Sequence, residues 1–176
     1  MKKSLALAFV CVFVFFSSFA QYSNNHHVEG QTSFYAELGG PGILFSANID
    51  HRFTPSRLGW GGRIGLGFTT DDNYDPYGYY YNQSSVVTVP LQVNYIFGKD
   101  NNPHTFEVGA GVTITGKKID IFNNYDSSSS NFFGTASFMY RRQPINGGFS
   151  WRIGFTPLIA HGYIQPSGAV SVGYNF

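Results

Sequence analysis

The sequence predicts an all-β fold, an eight-stranded antiparallel up-and-down transmembrane β-barrel. Three observations lead to this prediction. Apolar and polar residues alternate with a period of two in segments of roughly ten residues, the length that a tilted strand needs to cross a bilayer. Aromatic residues make up 18% of the chain and charged residues only 12%, against a usual charged share of about 25%. Beyond the N-terminus, no apolar run is long enough for a transmembrane helix.

The N-terminal residues 1–20 have the pattern of a secretory signal peptide. Lys2 and Lys3 precede an apolar run, and small residues precede the cleavage site that we expect after Ala20. The chain's one cysteine, Cys11, lies in this segment, so the mature chain is expected to lack disulfides and cysteine metal sites. Without the two lysines, 9 basic residues face 10 acidic ones, a balance that does not indicate nucleic acid as a partner.

Residues 21–31 are predicted to form a flexible periplasmic lead, and residues 32–176 to form the barrel. The alternation predicts eight strands: Thr32–Gly39, Leu44–Phe53, Gly59–Thr69, Val86–Phe97, His104–Thr115, Phe132–Arg142, Phe149–Leu158 and Gly168–Phe176. Short turn-forming connections follow the second, fourth and sixth strands, and long loops follow the third and fifth. This alternation of short periplasmic turns and longer external loops is typical of outer-membrane barrels.

Two features indicate that the apolar face of this barrel points outward into lipid. All mature lysines (Lys99, Lys117 and Lys118) are predicted in turns or loops, whereas a soluble barrel needs charge on its outer strand faces. The outward residue nearest the short-turn end is aromatic in every strand, which an interfacial aromatic girdle explains. These eight residues are Phe34, Phe53, Trp60, Phe97, Phe106, Tyr140, Phe149 and Phe176. Two irregularities are expected: a bulge or local distortion at Pro90, and His51 on the apolar face near the rim.

The inward faces carry small and polar residues together with four arginines and three acids, which are suited to mutual pairing in a narrow interior. These seven residues are Glu37, Asp50, Arg52, Arg63, Glu107, Arg141 and Arg152. An eight-stranded barrel is just wide enough for side chains to fill. We therefore expect a structural lumen network instead of a general diffusion pore.

Several stretches, SFYAELGGPGILFSANIDHRF, GGRIGLGF, VPLQVNYIFG, HTFEVGAGVT and GFSWRIGFTPLI, resemble a family of small outer-membrane β-barrels that is widespread in Bacteroidota. The resemblance covers about Ser33 to Phe176 and extends to the architecture of OmpA- and OmpX-type barrels. It implies a fold and a location but no catalytic residues. The C-terminal aromatic, Phe176, resembles the signal that barrel-assembly machinery recognises.

The third loop contains the residues most suggestive of surface contact: Tyr74, Tyr77, Tyr79, Tyr80 and Tyr81. Tyrosine is enriched in recognition surfaces because it combines a broad ring with a polar tip. The same residues could instead extend the two flanking strands as a paired ribbon above the membrane. The sequence leaves both interpretations open.

Other candidate sites are weaker. His26, His27 and Glu29 lack a further metal ligand nearby, and the acidic run from Asp71 to Asp75 lacks the spacing of a calcium loop. No catalytic, cofactor or metal residue is predicted. The expected function is non-enzymatic, an envelope-structural or surface-contact role in the outer membrane. The expected partners are membrane lipid, lipopolysaccharide and the assembly machinery, and the protein is expected to be a monomer.

Two alternatives remain. A lipid-modifying enzyme would need His161 and Ser167 to meet an acid such as Asp120 or Asp126 at the outer rim. A narrow channel or carrier for small molecules would need a continuous cavity through the lumen.

Overall fold

The computed structural model describes residues 30–74, 80–119 and 130–176, whose ten strands form one antiparallel sheet. The strands are β1 (Thr32–Gly39), β2 (Phe45–Arg52), β3 (Gly59–Tyr74), β4 (Tyr80–Phe97), β5 (His104–Ile119), β6 (Ser130–Arg142), β7 (Gly148–Phe155), β8 (Leu158–Ala160), β9 (Tyr163–Gln165) and β10 (Gly168–Asn175). Chain neighbours pair in order from β1 to β7, and β10 pairs with both β7 and β1, so the sheet closes on itself. The predicted eight-stranded barrel is confirmed.

The short strands β8 and β9 continue the last hairpin of the barrel beyond a break. Phe155 pairs with Gly168 and Leu158 with Gln165 in one unbroken register, and Pro157 and Pro166 stand opposite each other between these pairs. Neither proline has an N–H to give to the ladder. The predicted seventh strand, Phe149–Leu158, is therefore two strands, and most of the loop that was expected to follow it is a β-hairpin.

The strands on one side of the barrel are much longer than predicted. β3, β4 and β5 have 16, 18 and 16 residues, whereas β1 and β2 have 8 each. Backbone pairing continues after the apolar alternation has ended, and the barrel wall overhangs at the long-loop end. Lys117 and Lys118 consequently lie in β5, so their prediction as loop residues was wrong, while Lys99 follows β4 in a short turn.

Pro90 does not produce a bulge. The pairs Ile64–Leu91 and Gly67–Thr88 on either side of it have the same register, and no pair of the β3–β4 ladder occurs between them. Pro90 therefore causes a local gap in the ladder, as expected for a residue without an N–H. Register shifts occur elsewhere, at Asn73–Tyr74 and between Ile114 and Ile119.

Candidate functional site: the filled lumen and its rims

The interior of the barrel holds a chain of alternating charges. The structure brings together all seven residues that the sequence placed there, in the order Arg63–Glu37–Arg152–Glu107–Arg141–Asp50–Arg52. The N···O distances are 3.4 Å for Arg63–Glu37, 3.3 Å for Arg152–Glu37, 3.2 Å for Arg152–Glu107, 3.1 Å for Arg141–Glu107 and 2.9 Å for Arg141–Asp50. Arg52 pairs closely with Asp50. Several different strands contribute, so the network ties opposite walls of the barrel together.

Neutral side chains add further hydrogen bonds to these charges, while Glu37 Oε1, Arg63 Nε and Nη2, and Arg141 Nε are buried without a partner among the described residues. Arg63 Nη1 donates to the Tyr35 hydroxyl over 3.0 Å, and Arg152 lies over the Tyr35 ring, with its guanidinium carbon 3.5 Å from the ring centroid. Arg141 Nη2 donates to Ser33 Oγ over 2.6 Å, and Arg152 Nε donates to Ser171 Oγ over 2.9 Å. Buried charges are tolerated when they are paired and hydrogen-bonded in this way. The arrangement fills the middle of the lumen with buried side chains.

Arg57 closes the short-turn end of the lumen, a role that the sequence analysis missed. Its guanidinium is buried, and Nη2 donates to three backbone carbonyls in the turn between β4 and β5: Lys99 over 2.7 Å, Asn102 over 2.8 Å and Asp100 over 2.9 Å. Burial lowers the pKa of Arg57, and the Asp100 charge opposes this shift. One side chain thus joins two of the short turns beneath the barrel. Arg57 lies outside every alternating segment, so periodicity gave no signal for it.

A loop between β1 and β2 closes the other end from within. Gly40–Gly42 forms a buried 3-10 turn, and two threonine hydroxyls from the opposite wall donate to it. Thr113 donates to the Pro41 carbonyl over 2.8 Å and Thr88 to the Gly42 carbonyl over 3.2 Å. Ile43 follows with φ 72° and ψ −76°, and the Leu44 N–H donates to the Gly42 carbonyl over 3.1 Å. This is a γ-turn of the strained, positive-φ form, which surrounding packing must hold in place.

Apolar residues pack around this inner loop. Val86, Ile119, Phe133 and Leu158 form a buried cluster, against which Ile43 and Ala160 are packed. The alternation of the sequence places Val86 and Phe133 on the inward face. It gave no sign that these two apolar side chains close the long-loop end of the lumen. The register shift in β5 accompanies the inward position of Ile119. The lumen therefore has three layers: an arginine clamp, a charged network and an apolar cap.

The outward face is an apolar band with an aromatic row near each end, and the row toward the long loops contains Phe45, Phe68, Phe132 and Phe155. Of the eight predicted girdle residues, seven are exposed by half or more, and Tyr140 is partly buried by its neighbours. Ring contacts run along the short-turn rim, with centroid distances of 5.2 Å for Trp60–Tyr95 and 5.3 Å for Tyr140–Trp151. About eight residues separate the two rows on several strands, which corresponds to a height of about 20 Å for strands tilted by roughly 40°. A band of this height is close to that of outer-membrane barrels.

Three of the five proposed contact tyrosines are described, and their backbone lies at the overhanging rim. Tyr74 pairs with Tyr80 at the end of the β3–β4 ribbon, and Tyr81 follows in β4. The backbone thus forms a paired ribbon here, with Tyr81 at its register shift, and this is one of the two interpretations left open by the sequence. Tyr77 and Tyr79 lie outside the described residues.

Of the residues suggested for a lipid hydrolase, His161 and Ser167 are described, and they do not lie together. His161 is at the tip of the β8–β9 hairpin, with φ 51°, and Gly162 beside it has φ 80°, the positive values of a tight hairpin turn. Ser167 lies at the base of the same hairpin, where its carbonyl accepts a hydrogen bond from the Thr156 N–H. About five residues separate Gly162 from Ser167, which is roughly 16 Å along a strand. Asp120 and Asp126 lie outside the described residues.

The described residues contain no group of three or more histidine, cysteine or acidic side chains placed to hold a metal ion. His26, His27 and Glu29 are outside them. Within the same part of the chain, no helix is both long and apolar enough to cross a membrane.

Two solved barrels resemble the structure. The N-terminal β-barrel domain of Pseudomonas aeruginosa OprF aligns with a TM-score of 0.56 and 12% identity, covering 84% of this chain and 99% of that one. The Yersinia pestis outer membrane protein Ail, in a phospholipid nanodisc, aligns with a TM-score of 0.51 and 14% identity, covering 84% and 100%. At these identities the likeness shows the fold alone. No protein-family model and no curated protein matches the sequence.

Proposed function

We propose that the chain is an integral, non-enzymatic protein of the outer membrane of a Gram-negative cell, where a plugged barrel anchors a rim of β-structure at the cell surface. This proposal rests on the distribution of side chains, which is the reverse of that in a soluble protein: apolar residues lie on the outer surface and charged residues in the interior. Leu66 and Ile64 on the outside are exposed by 63% and 55%, whereas Glu107 and Glu37 inside are exposed by 1% or less. Soluble proteins rarely expose contiguous apolar surface beyond a few hundred Å². A closed barrel in a bilayer covers such a band with lipid and leaves no unpaired sheet edge in the hydrocarbon.

The orientation follows from the two rims. The short turns would face the periplasm and the overhanging strands the exterior, as in other outer-membrane barrels. Export through a signal peptide cleaved after Ala20, and recognition of Phe176 by barrel-assembly machinery, would deliver the chain. Its lasting partners would be phospholipid and lipopolysaccharide, and it would act as a monomer. The Bacteroidota affiliation indicated by the sequence stretches belongs to this proposal.

The membrane proposal is tested by extraction and gel mobility. The folded protein should require detergent for extraction, and unboiled samples should migrate differently from boiled ones on a denaturing gel. Identical migration together with extraction in aqueous buffer alone would exclude the membrane barrel.

A contact role for the outer rim is supported by the register at β3. β2 begins at Phe45, which pairs with Phe68, so the β3 segment from Thr69 to Tyr74 pairs with β4 alone among the described residues. The opposite edge of that segment offers backbone N–H and C=O groups to an extended segment of another chain. Tyrosine-rich sequence at the tip adds residue types common in recognition surfaces.

The contact role is tested by shortening the ribbon. Asp71 and Ser84 are Cα partners, so replacing residues 72–83 with Asn-Gly joins them through a two-residue hairpin turn. Cells that display the shortened protein at equal levels should adhere to one another and to surfaces less than cells with the parent protein. Unchanged adhesion would exclude the ribbon as the contact element.

A conducting channel has less support. In the three interior layers, Arg52, Arg141 and Phe133 are exposed by 2% or less, and Arg57 is exposed by 4%. Planar bilayers that contain the folded protein should show no discrete conductance steps. Steady steps of constant size would contradict a filled lumen.

A further inference from the structure

The outward surface at the short-turn rim carries one arginine that differs from the other five in the chain. Arg52, Arg57, Arg63, Arg141 and Arg152 are buried and hydrogen-bonded. Arg142, the last residue of β6, is exposed, and its side chain makes no hydrogen bond or ion pair with any described residue. A cation that lacks a protein partner at the edge of an apolar band is available to an anion from the membrane.

The neighbours of Arg142 suit a lipid headgroup. His104 on β5 and Trp151 on β7 are its direct Cα partners, so these side chains form a row across three strands. Trp151 is on the outward face, since its partner on β10 is the exposed Val172. One row further into the band lies Tyr140, whose ring centroid is 5.3 Å from that of Trp151 and 6.0 Å from that of His104. Aromatic residues of this kind mark the headgroup level of a bilayer.

Hydrogen bonding leaves donors free in this row. His104 Nδ1 is hydrogen-bonded to the Tyr140 hydroxyl; in the tautomer in which that hydroxyl donates to Nδ1, the proton is on Nε2, which can donate to an anion. Arg142 adds the planar fork of N–H groups that matches a phosphate in a bidentate way. No acidic side chain lies within salt-bridge distance of Arg142 among the described residues. The row therefore offers two kinds of donor to an anion, and no carboxylate of the described residues competes for Arg142.

We propose that Arg142, with His104 and Trp151, binds the phosphodiester of an anionic glycerophospholipid in the leaflet at the short-turn rim. Arg142 would hold the phosphate oxygens, His104 Nε2 would donate a further hydrogen bond, and the Trp151 ring would pack against the glycerol and the first acyl carbons. This inference rests on the proposed membrane location. It adds a defined lipid class and a defined binding row to that proposal.

The test uses fluorescence of Trp151. The chain has two tryptophans, Trp60 and Trp151, so Trp60→Phe leaves Trp151 as the sole reporter. The full mature protein is reconstituted in phosphatidylcholine vesicles in which a fixed fraction of the lipid is brominated phosphatidylglycerol or brominated phosphatidylcholine. We expect the apparent association constant at Trp151 to be about 3- to 10-fold higher for the anionic lipid, in line with one charge-assisted contact at a partly exposed site.

Two variants of Arg142 and one control variant distinguish a specific lipid site from a general effect of positive charge at the rim. Arg142→Gln should reduce the preference to about 1-fold, and Arg142→Lys should keep part of it as a point charge. Lys99→Gln is the matched control, since it removes one positive charge from an exposed turn at the same rim and should leave the preference unchanged. Gel mobility confirms that each variant is folded.

The outcomes distinguish the two proposals. Equal quenching of Trp151 by both brominated lipids in the parent protein, or an unchanged preference in Arg142→Gln, overturns the lipid site while the membrane barrel stands. Absence of quenching by either lipid means that the outward face does not meet acyl chains, and both proposals are then wrong.

Discussion

Replacing Glu107 by alanine should destabilise the barrel strongly, because this residue lies at the centre of the buried charge chain. Its carboxylate accepts hydrogen bonds from Arg141 Nη1 over 3.1 Å and from Arg152 Nη1 over 3.2 Å. Asn94 Nδ2 donates to it over 3.4 Å. With Glu107 present, four arginines face three acids, so its loss raises the excess of positive charge in the lumen from one to two.

The expected loss of unfolding free energy depends on the ion pairs that Arg141 and Arg152 keep when Glu107 is removed. Breaking a buried ion pair by removing one partner typically costs about 3–5 kcal/mol. Arg141 keeps Asp50 and Arg152 keeps Glu37, so we expect the lower end, about 3 kcal/mol. With a urea m-value of about 2 kcal/mol/M, this loss lowers the unfolding midpoint by about 1.5 M.

Urea unfolding in lipid vesicles, followed by tryptophan fluorescence, measures this midpoint. Glu107→Gln retains an acceptor of the same shape and should have an intermediate midpoint. The double variant Glu107→Leu/Arg152→Met removes a whole buried pair and should recover much of the loss, since apolar replacements of buried pairs are often close to neutral. Lys99→Gln, at an exposed turn, should match the parent protein. A shift below about 0.3 M for Glu107→Ala, at an unchanged m-value, would refute the reasoning that the network stabilises the fold.

Four further variants test other parts of the barrel. Arg57→Ala removes the hydrogen bonds that join two of the short turns and should lower the free energy of unfolding by about 1–3 kcal/mol in the same urea titration. An unchanged midpoint would mean that water satisfies the freed carbonyl groups equally well. Gly39→Ala should prevent folding or lower the midpoint severely, because Gly39 has φ 73° and an added Cβ would lie 2.3 Å from the Gly168 carbonyl oxygen. Gly162→Ala, at φ 80° with no atom within 4 Å of its Cβ, should cost only about 1 kcal/mol, and equal effects of the two glycine variants would contradict the steric argument. Deleting Phe176 should lower the amount of assembled protein in the outer membrane of cells, measured by the gel-mobility shift, while refolding of the purified variant into detergent stays efficient.

The closed barrel could be predicted from sequence because one physical rule governs the whole apolar band. In the proposed membrane location, each outward side chain there meets lipid and each inward one meets the lumen, and the burial of the residues of β2 alternates strictly with a period of two. The charged lumen residues followed from the same rule, since a charged side chain on the face opposite to the lipid must point into the lumen.

The ends of the strands and the two lumen caps could not be predicted in the same way. Beyond the band, water replaces lipid and both faces accept polar residues, so the alternation ends while the backbone pairing continues to Tyr74 and Ile119. Arg57 acts through backbone carbonyls of another turn, which leave no trace in residue type. The inner loop at Gly40–Gly42 has the sequence of an ordinary glycine-rich hairpin. Its inward direction depends on hydrogen bonds from Thr88 and Thr113 to its carbonyl groups, and these threonines are distant in sequence.

The central claim, that the apolar face of the sheet contacts lipid, is tested most directly by spin-label accessibility at Ile64. The single cysteine of the chain lies at position 11, within the predicted signal peptide, so Ile64→Cys gives one labelling site in the mature protein. Lys118→Cys, on the exposed β5 overhang, is the matched control in water. In phospholipid vesicles, the label at position 64 should collide frequently with oxygen and rarely with a water-soluble nickel complex, and the label at position 118 should show the reverse. Higher nickel than oxygen accessibility at position 64 would contradict the account.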